Sequence, residues 1–445
     1  MAYAHTTLAA AVAAVAARLG DPSLSFWSSG ELRALLYEGL RLWQAATDSS
    51  RERGALPTQA NVAFYDLGAE LPTLLGNVVT DRNVVAELEA HLLEPVTPTG
   101  WTGSTQFTLP DLVAALQRRR DQFLLETGTI LTHGTLPISA PPAGRVTIPD
   151  SYIDVRRLAW RSVEGVYKHL WREDEHGLSA FLPTWSIEPA TPRAFSVSAA
   201  RPFELQLAPP PLDEGALDVV SVQTGAALDP VAGVLLGVPD DYAWVVKWGT
   251  LADLLGRQGE SRDAARAAYC EARWKSGISL AKIAQSVIHA QIGGRPLWIN
   301  SILDLDAMLP NWQNDTGEPR AIGSAGENLV CLANVPDGVY GLTVDVIRNA
   351  PIPAHDGAFL QVGREHLDVI IGYAEHVATF KMGGEEFQST MPLLTQFFDL
   401  AGIVNKKLRA SGGFEDIMTS RQTKEQKQRP RQSDDAKKIM ESVSE

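Results

Sequence analysis

The chain has 445 residues, 45 % of them hydrophobic, and a formal net charge of −14 at pH 7. That length leaves room for about three domains with real cores and excludes a wholly disordered chain. The charge argues against tight wrapping of nucleic acid, and two cysteines, Cys270 and Cys331, are too few for a disulfide framework or a cysteine metal site.

No Lys or Arg precedes the Ala-rich run near the N-terminus, so a secretory leader is not expected. No apolar run approaches the ~20 residues that span a membrane. Residues 7–18 predict a first helix, ended by Gly20-Asp-Pro22. A second follows, with Leu32, Leu35, Leu36, Leu40 and Trp43 at helical spacing and either Ser28 or Ser29 as its cap. Gly54-Ala-Leu-Pro57 ends that block, residues 62–67 read as a short extended or hairpin segment, and 80–94 as an amphipathic helix stopped by Pro95. Residues 1–105 are thus expected to form a helical module of their own.

Thr108-Leu-Pro-Asp111 opens another helix that runs to Gly128. From Leu136 to Val222 the period changes: 145–148, 155–160, 194–197 and 203–207 alternate and are split by Pro and Gly. That pattern predicts an antiparallel sandwich or small sheet. Trp244, Trp248, Leu251 and Leu255 then fall on one stripe of a helix. Residues 263–275 complete a helical pair that closes at Gly277. A helix is expected over 280–291, strands over 296–352, and helices over 365–382 and 392–409. Leu367, Ile370, Ile371, Tyr373 and Ala374 form the core side of the first of these. Beyond Phe414 the chain is polar and basic, with Arg421, Lys424, Lys427, Arg429 and Arg431 and no apolar face.

The central stripe occurs twice. Trp248 overlies Tyr373 at a shift of 125 residues, which also superposes Gly259 on Gly384, Leu207-Ala208 on Leu332-Ala333, and Leu217 and Val219 on Leu342 and Val344. Upstream the shift is 127, and Leu182-Pro183-Thr-Trp185 meets Leu309-Pro310-Asn-Trp312. Identities that hold one shift in separate clusters predict a duplicated, domain-sized unit. The expected fold is α+β, helical bundles with inserted antiparallel β-domains. Its first unit spans 106–278, its second 279–414, and a tail 415–445.

A catalytic constellation is not found. Gly293-Gly294-Arg295-Pro296 lacks the Lys-Ser/Thr of a phosphate loop, Gly323-Ser-Ala-Gly326 is one residue short of a nucleophile elbow, and no His pair has zincin spacing. Asp304 and Asp306 on an extended segment would face one side without a cleft, and His366 and His376 read as core or surface histidines. Trp185 and Trp312 each precede a strand at equivalent points of the two units, so both are expected to cap a small core rather than stack on a ligand. No cofactor and no metal are expected.

Leu24-Ser-Phe-Trp27 leading into the helix to Trp43, His91-Leu-Leu-Glu-Pro95, Trp101-Thr-Gly-Ser104, the helix over 118–128, and residues 373–387 with Asn405 resemble head–tail connector proteins of tailed phages, the neck adaptors. The resemblance covers most of residues 24–414 and rests on order and spacing. It implies helical bundles with inserted β-domains, assembled as a dodecameric ring beneath the portal, with no enzymatic activity. This chain is longer than single-unit adaptors, as a duplication requires. The expectation is a virion protein, assembled in the host cytoplasm, whose partners are other copies of itself, the portal protein and tail or nozzle proteins. Double-stranded DNA passes non-specifically, and no membrane is involved. The rival readings are a virion protein that recognises glycans through its β-domains and a hydrolase with an unrecognised site.

Overall fold

Short polar residues cap the N-terminal helices. In the computed structural model, which describes residues 5–92, 107–138, 144–181, 184, 186–198, 204–259, 262–284 and 286–408, Thr7 caps α1 (Leu8–Arg18). Ser28, not Ser29, caps α2 (Ser29–Thr47), its hydroxyl accepting from the Glu31 N–H at 3.1 Å. β1 (Arg51–Pro57), β2 (Phe64–Asp66) and two short helices, α3 (Leu67–Glu70) and α4 (Pro72–Leu75), follow. Thr80 and Asn83 form a capping box at the head of α5 (Asp81–His91), and Thr108 caps α6 (Leu109–Thr127).

The chain then becomes β-rich: β3 (Thr132–Ile138), β4 (Arg145–Thr147), β5 (Tyr152–Ser162), β6 (Tyr167–Arg172), α7 (Glu175–Phe181), β7 (Ala194–Val197), β8 (Glu204–Ala208) and β9 (Gly215–Gln223). The helical pair α8 (Ala243–Gly256) and α9 (Ala264–Ala281) follows. A second β-rich run comprises β10 (Val287–Ile292), β11 (Arg295–Pro296), β12 (Trp298–Ser301), α10 (Ile302–Met308), β13 (Ala321–Ala325), β14 (Leu329–Ala333) and β15 (Gly341–Ile347). Helices α11 (Arg364–Thr379), α12 (Gly384–Ser389) and α13 (Met391–Leu408) complete the described chain.

The fold is α+β. One sheet runs β3-β9-β5-β6-β7-β8-β4, and two smaller ones run β1-β15-β10-β11 and β12-β13-β14-β2. Pairing is antiparallel except for β6 with β7 and β12 with β13. The largest core is helical, built from α1, α2, α5, α6, α8, α9, α11 and α13, while each β-domain encloses a smaller core of its own.

Strand pairing exposes a nested plan. An inner copy runs without interruption from α5 to α9. An outer copy begins with α1, α2, β1 and β2, is broken by the inner copy, and resumes from β10 to α13. Helices α1 and α5 have 11 residues each, and α2 and α6 have 19 each. Thr7 bridges Phe359 as Thr80 bridges Leu235. β1 lies on β15 with Leu56 opposite Leu342, as β3 lies on β9 with Leu136 opposite Leu217. β2 lies on β14 as β4 lies on β8. Trp298 opens the parallel pair with Ala321 as Trp171 does with Ala194, and both Trp side chains are exposed.

Several expectations are corrected. The sheets do not divide at residue 105, because β1 and β2 pair with strands of the second unit. β1 and β2 lie in different sheets and do not pair with each other, so the N-terminal residues hold no sheet of their own. Residues 280–291 are not a helix: α9 continues through Gly277 to Ala281, and β10 pairs with β15. Gly277 stays inside the helix because a Cβ there would lie 2.4 Å from Val245 Cγ2, so the residue is set by close packing rather than by a helix end. Asp304 and Asp306 lie on α10, where Ser301 and Asp304 make a capping box.

Candidate functional site at the junction of the two copies

Helices of the outer copy pack on helices of the inner one around a buried carboxylate. Glu38 projects from α2, and its side chain is 2 % exposed. Trp248 Nε1 of α8 donates to Glu38 Oε1 at 2.8 Å, and the Tyr373 hydroxyl of α11 donates to the same oxygen at 2.6 Å. Lys247 Nζ pairs with Glu38 Oε2 and lies 3.0 Å from Glu87 Oε2 and 3.3 Å from His91 Nε2. Arg273 of α9 sits 3.7 Å from Glu38 and donates to the Tyr373 hydroxyl. Its guanidinium lies 5.0 to 5.9 Å from the ring centres of Trp244, Trp248, Tyr373 and Phe398. Such aromatic faces favour a cation where water is excluded.

The charges set one another's protonation. Burial opposes ionisation of Glu38, but Lys247 and Arg273 outweigh it and hold the carboxyl down at about 2. Burial pushes Glu87 upward, with only partial relief from Lys247. Burial and the neighbouring Lys247 cation press His91 well below the ordinary imidazole range, so His91 is neutral at pH 7. This group is a buried ion cluster whose charges face one another, with Arg273 Nε and Nη1 left without a hydrogen-bond partner.

A second polar knot joins the β-domains. Arg157 of β5 makes a bidentate pair with Asp306 of α10 at 2.6 and 2.8 Å, and its third nitrogen lies 3.3 Å from Asp218 of β9. Trp312 Nε1 donates to Asp306 Oδ1 at 2.9 Å. His133 pairs with Asp218 and stacks on Phe64, ring centres 4.0 Å apart. Burial would raise the Asp218 pKa, but His133, Gln313 and Arg157 lower it on balance. Backbone and amide contacts complete the seam: Asn328 exchanges two hydrogen bonds with Leu131, at 2.9 and 3.0 Å, and Asn314 binds the Tyr167 backbone.

The residues singled out from sequence fall as follows. Trp244, Trp248, Leu251, Leu255, Ile371, Tyr373 and Trp312 are buried. Leu367 is half-buried at the edge of the core, just before the buried stretch of α11 that starts at Val369. Trp185 and the tail residues Arg421, Lys424, Lys427, Arg429 and Arg431 lie outside the described residues. His376 is buried between Tyr269 and Thr390, each 2.9 Å away. Among the described residues no group of three or more His, Cys, Asp or Glu is placed to hold a metal, and no helix is long and apolar enough to cross a membrane. Glu38, Arg157, Asp218, Lys247 and Arg273 carry the junction and were missed. The only available signal was a charge set among apolar neighbours, as Lys247 is between Val246 and Trp248.

No curated protein matches the sequence. Residues 84–297 match the model of the SU10 adaptor protein family, a span just under half the chain that covers the inner copy from within α5 to the start of the next β-domain. Over its inner copy, the chain is similar to a phage structural adaptor.

Proposed function

We propose that the chain is a non-enzymatic structural component of a tailed-phage neck, an adaptor ring that joins the portal to the tail and lines the DNA channel. One observation carries this reading. The adaptor match falls on the inner copy, and the outer copy repeats its elements in the same order, so the chain reads as two adaptor units in one. Buried charges at the junction face one another and not a cleft, which suits an assembly element better than a catalyst.

The net charge of −14 suits a channel wall along which DNA slides rather than sticks. Repulsion between acidic subunits is screened over ~8 Å, so apolar and paired contacts dominate at their boundary. The partners are further copies of the chain, the portal protein, and tail or nozzle proteins. The basic residues of 415–445 are proposed to dock on acidic surface of a neighbour, many weak arms acting together.

Imaging of the purified chain, alone and with portal protein, tests this. A closed ring with a lumen wide enough for duplex DNA, stacked on the portal, is the expected result. A monomer that binds glycans or hydrolyses a substrate would overturn it.

A further inference from the structure

The junction inside the chain is one-sided. The outer copy contributes α2, α11 and α12; the inner copy contributes α5, α8 and α9. Phe380 and Phe387, for example, pack on Tyr269 with ring centres 5.8 and 4.9 Å apart. Among the described residues the reciprocal packing is not made. Arg118 holds in α6 the place that Glu38 holds in α2, yet its side chain is 61 % exposed and pairs with Asp253 of its own copy.

The outer copy has a counterpart of the receiving face that no inner-copy helix covers among the described residues. Laying α9 on α13 by their inward residues puts Ala267, Cys270 and Trp274 over Leu394, Phe397 and Ala401. Tyr269 then overlies Gln396, and Arg273 overlies Leu400. Those two α9 residues are the ones that receive the outer copy. Their α13 counterparts lie in a shallow groove of about 650 Å³ lined also by Met391, Pro392, Asp399 and Ile403. Met391 and Ile403 are 38 % and 48 % exposed, so apolar side chains are left facing water.

We propose that the α13 groove receives the α6–α8 corner of a second copy of this chain, repeating between chains the packing that joins the two copies within one. Here one face meets a different face, and such a contact is heterologous: it propagates until a ring closes or runs on as a filament. Each chain fills two successive positions, so a ring has twice as many positions as chains. Charge follows the same logic with the signs exchanged. Inside the chain the outer copy brings the acid Glu38 to Lys247 and Arg273; between chains the inner copy brings Arg118 toward Asp399 of the groove. This proposal rests on the ring reading above for closure, and adds which surfaces meet.

Cross-linking of the full chain tests it. Arg273 and Glu38 lie 3.7 Å apart inside the chain, and their counterparts are Leu400 and Arg118. The variant carrying Arg118→Cys and Leu400→Cys should give disulfide-linked multimers on mild oxidation, reversed by reductant, while neither single variant cross-links. Cys270 and Cys331 are buried and stay silent. Independently, Ile403→Asp should weaken self-association on the order of tenfold or more in sedimentation, with far-UV circular dichroism unchanged. Dimers from Leu400→Cys alone would mean that α13 meets α13, and would overturn the proposal. So would multimers that form normally with Ile403→Asp; in both cases the ring reading survives. A chain that stays monomeric at every concentration, its groove serving some other protein, overturns both.

Discussion

Trp248 and Tyr373 hold the same position in two copies of one helix, 125 residues apart, and both donate to a single oxygen of Glu38, at 2.8 and 2.6 Å. A carboxylate oxygen has two lone-pair directions, and each copy fills one of them. Lys247 takes the other oxygen. The two copies are thus keyed together by a group that neither could bury alone.

Removing that key leaves buried cations without a counter-charge. Glu38→Leu should destabilise the chain by ~3–5 kcal/mol, the cost of breaking a buried pair from one side. Urea unfolding measures it, and a loss below about 1 kcal/mol would show that Glu87 alone suffices for Lys247.

Stability should pass through a maximum in mildly acidic solution. Glu38 is held down at about 2 because Lys247 and Arg273 outweigh its burial. It binds fewer protons folded than unfolded between that value and its unfolded value of ~4.3, so its contribution is full above ~4.3 and is lost as pH falls toward 2. Burial pushes Asp241 up to about 7 and Glu327 up to about 8. These two bind more protons folded than unfolded from ~4 upward, so they weaken the fold as pH rises from ~4 to 8. Asp241→Asn with Glu327→Gln should flatten the upper limb alone. An unchanged slope of unfolding free energy against pH in that variant would refute the assignment.

Much of the architecture was legible because it rests on local pattern. The stripe of Trp244, Trp248, Leu251 and Leu255 gave α8, and alternation gave β4, β5, β7 and β8. The shared shifts gave the equivalence of the second β-rich run with the first. The nesting was not legible. Its trace is faint: Gly54-Ala-Leu-Pro57 in β1 and Gly134-Thr-Leu-Pro137 in β3, with Leu32, Leu36 and Trp43 of α2 answering Leu112, Leu116 and Phe123 of α6. These matches hold a shift of 80, unlike the 125 and 127 found downstream, because an inserted domain breaks the register. The ion cluster was hidden for another reason. Glu38 and Lys247 lie 209 residues apart, and a lone charge on a helix ordinarily reads as solvated.

Close packing at one glycine gives a sharper test. Gly277→Ala places a methyl 2.4 Å from Val245 Cγ2 and 2.9 Å from Trp244. Overpacking of this kind costs about 1–3 kcal/mol, although alanine is the better helix former. Adding Val245→Ala should recover part of the loss. If Gly277→Ala stabilises the chain in thermal unfolding, the helix contact is looser than these distances state.

The nested plan predicts that the chain can be taken apart where it was interrupted. The Asn349 N–H donates to the Leu74 carbonyl at 2.9 Å and its side chain to the Gly76 carbonyl at 2.9 Å, while the Ile347 N–H donates to the Ser286 carbonyl at 2.8 Å. The two broken ends of the outer copy therefore lie beside one short stretch of chain, the arrangement that makes domain insertion tolerable. Replacing residues 77–285 by a Gly/Ser linker of about six residues should leave an outer copy that unfolds cooperatively, with β1 still on β15. Residues 77–285 made alone should fold as well, since they hold a full sheet and the α5, α6, α8 and α9 core. Each part loses the junction, so both should be less stable than the whole, and Trp248 fluorescence should shift to the red in the inner part. Mixed together the two parts should bind, and Glu38→Lys in the outer part should abolish that binding by setting a cation against Lys247 and Arg273. If only one part folds, or both fold and ignore each other, the copies are not independent units keyed through Glu38.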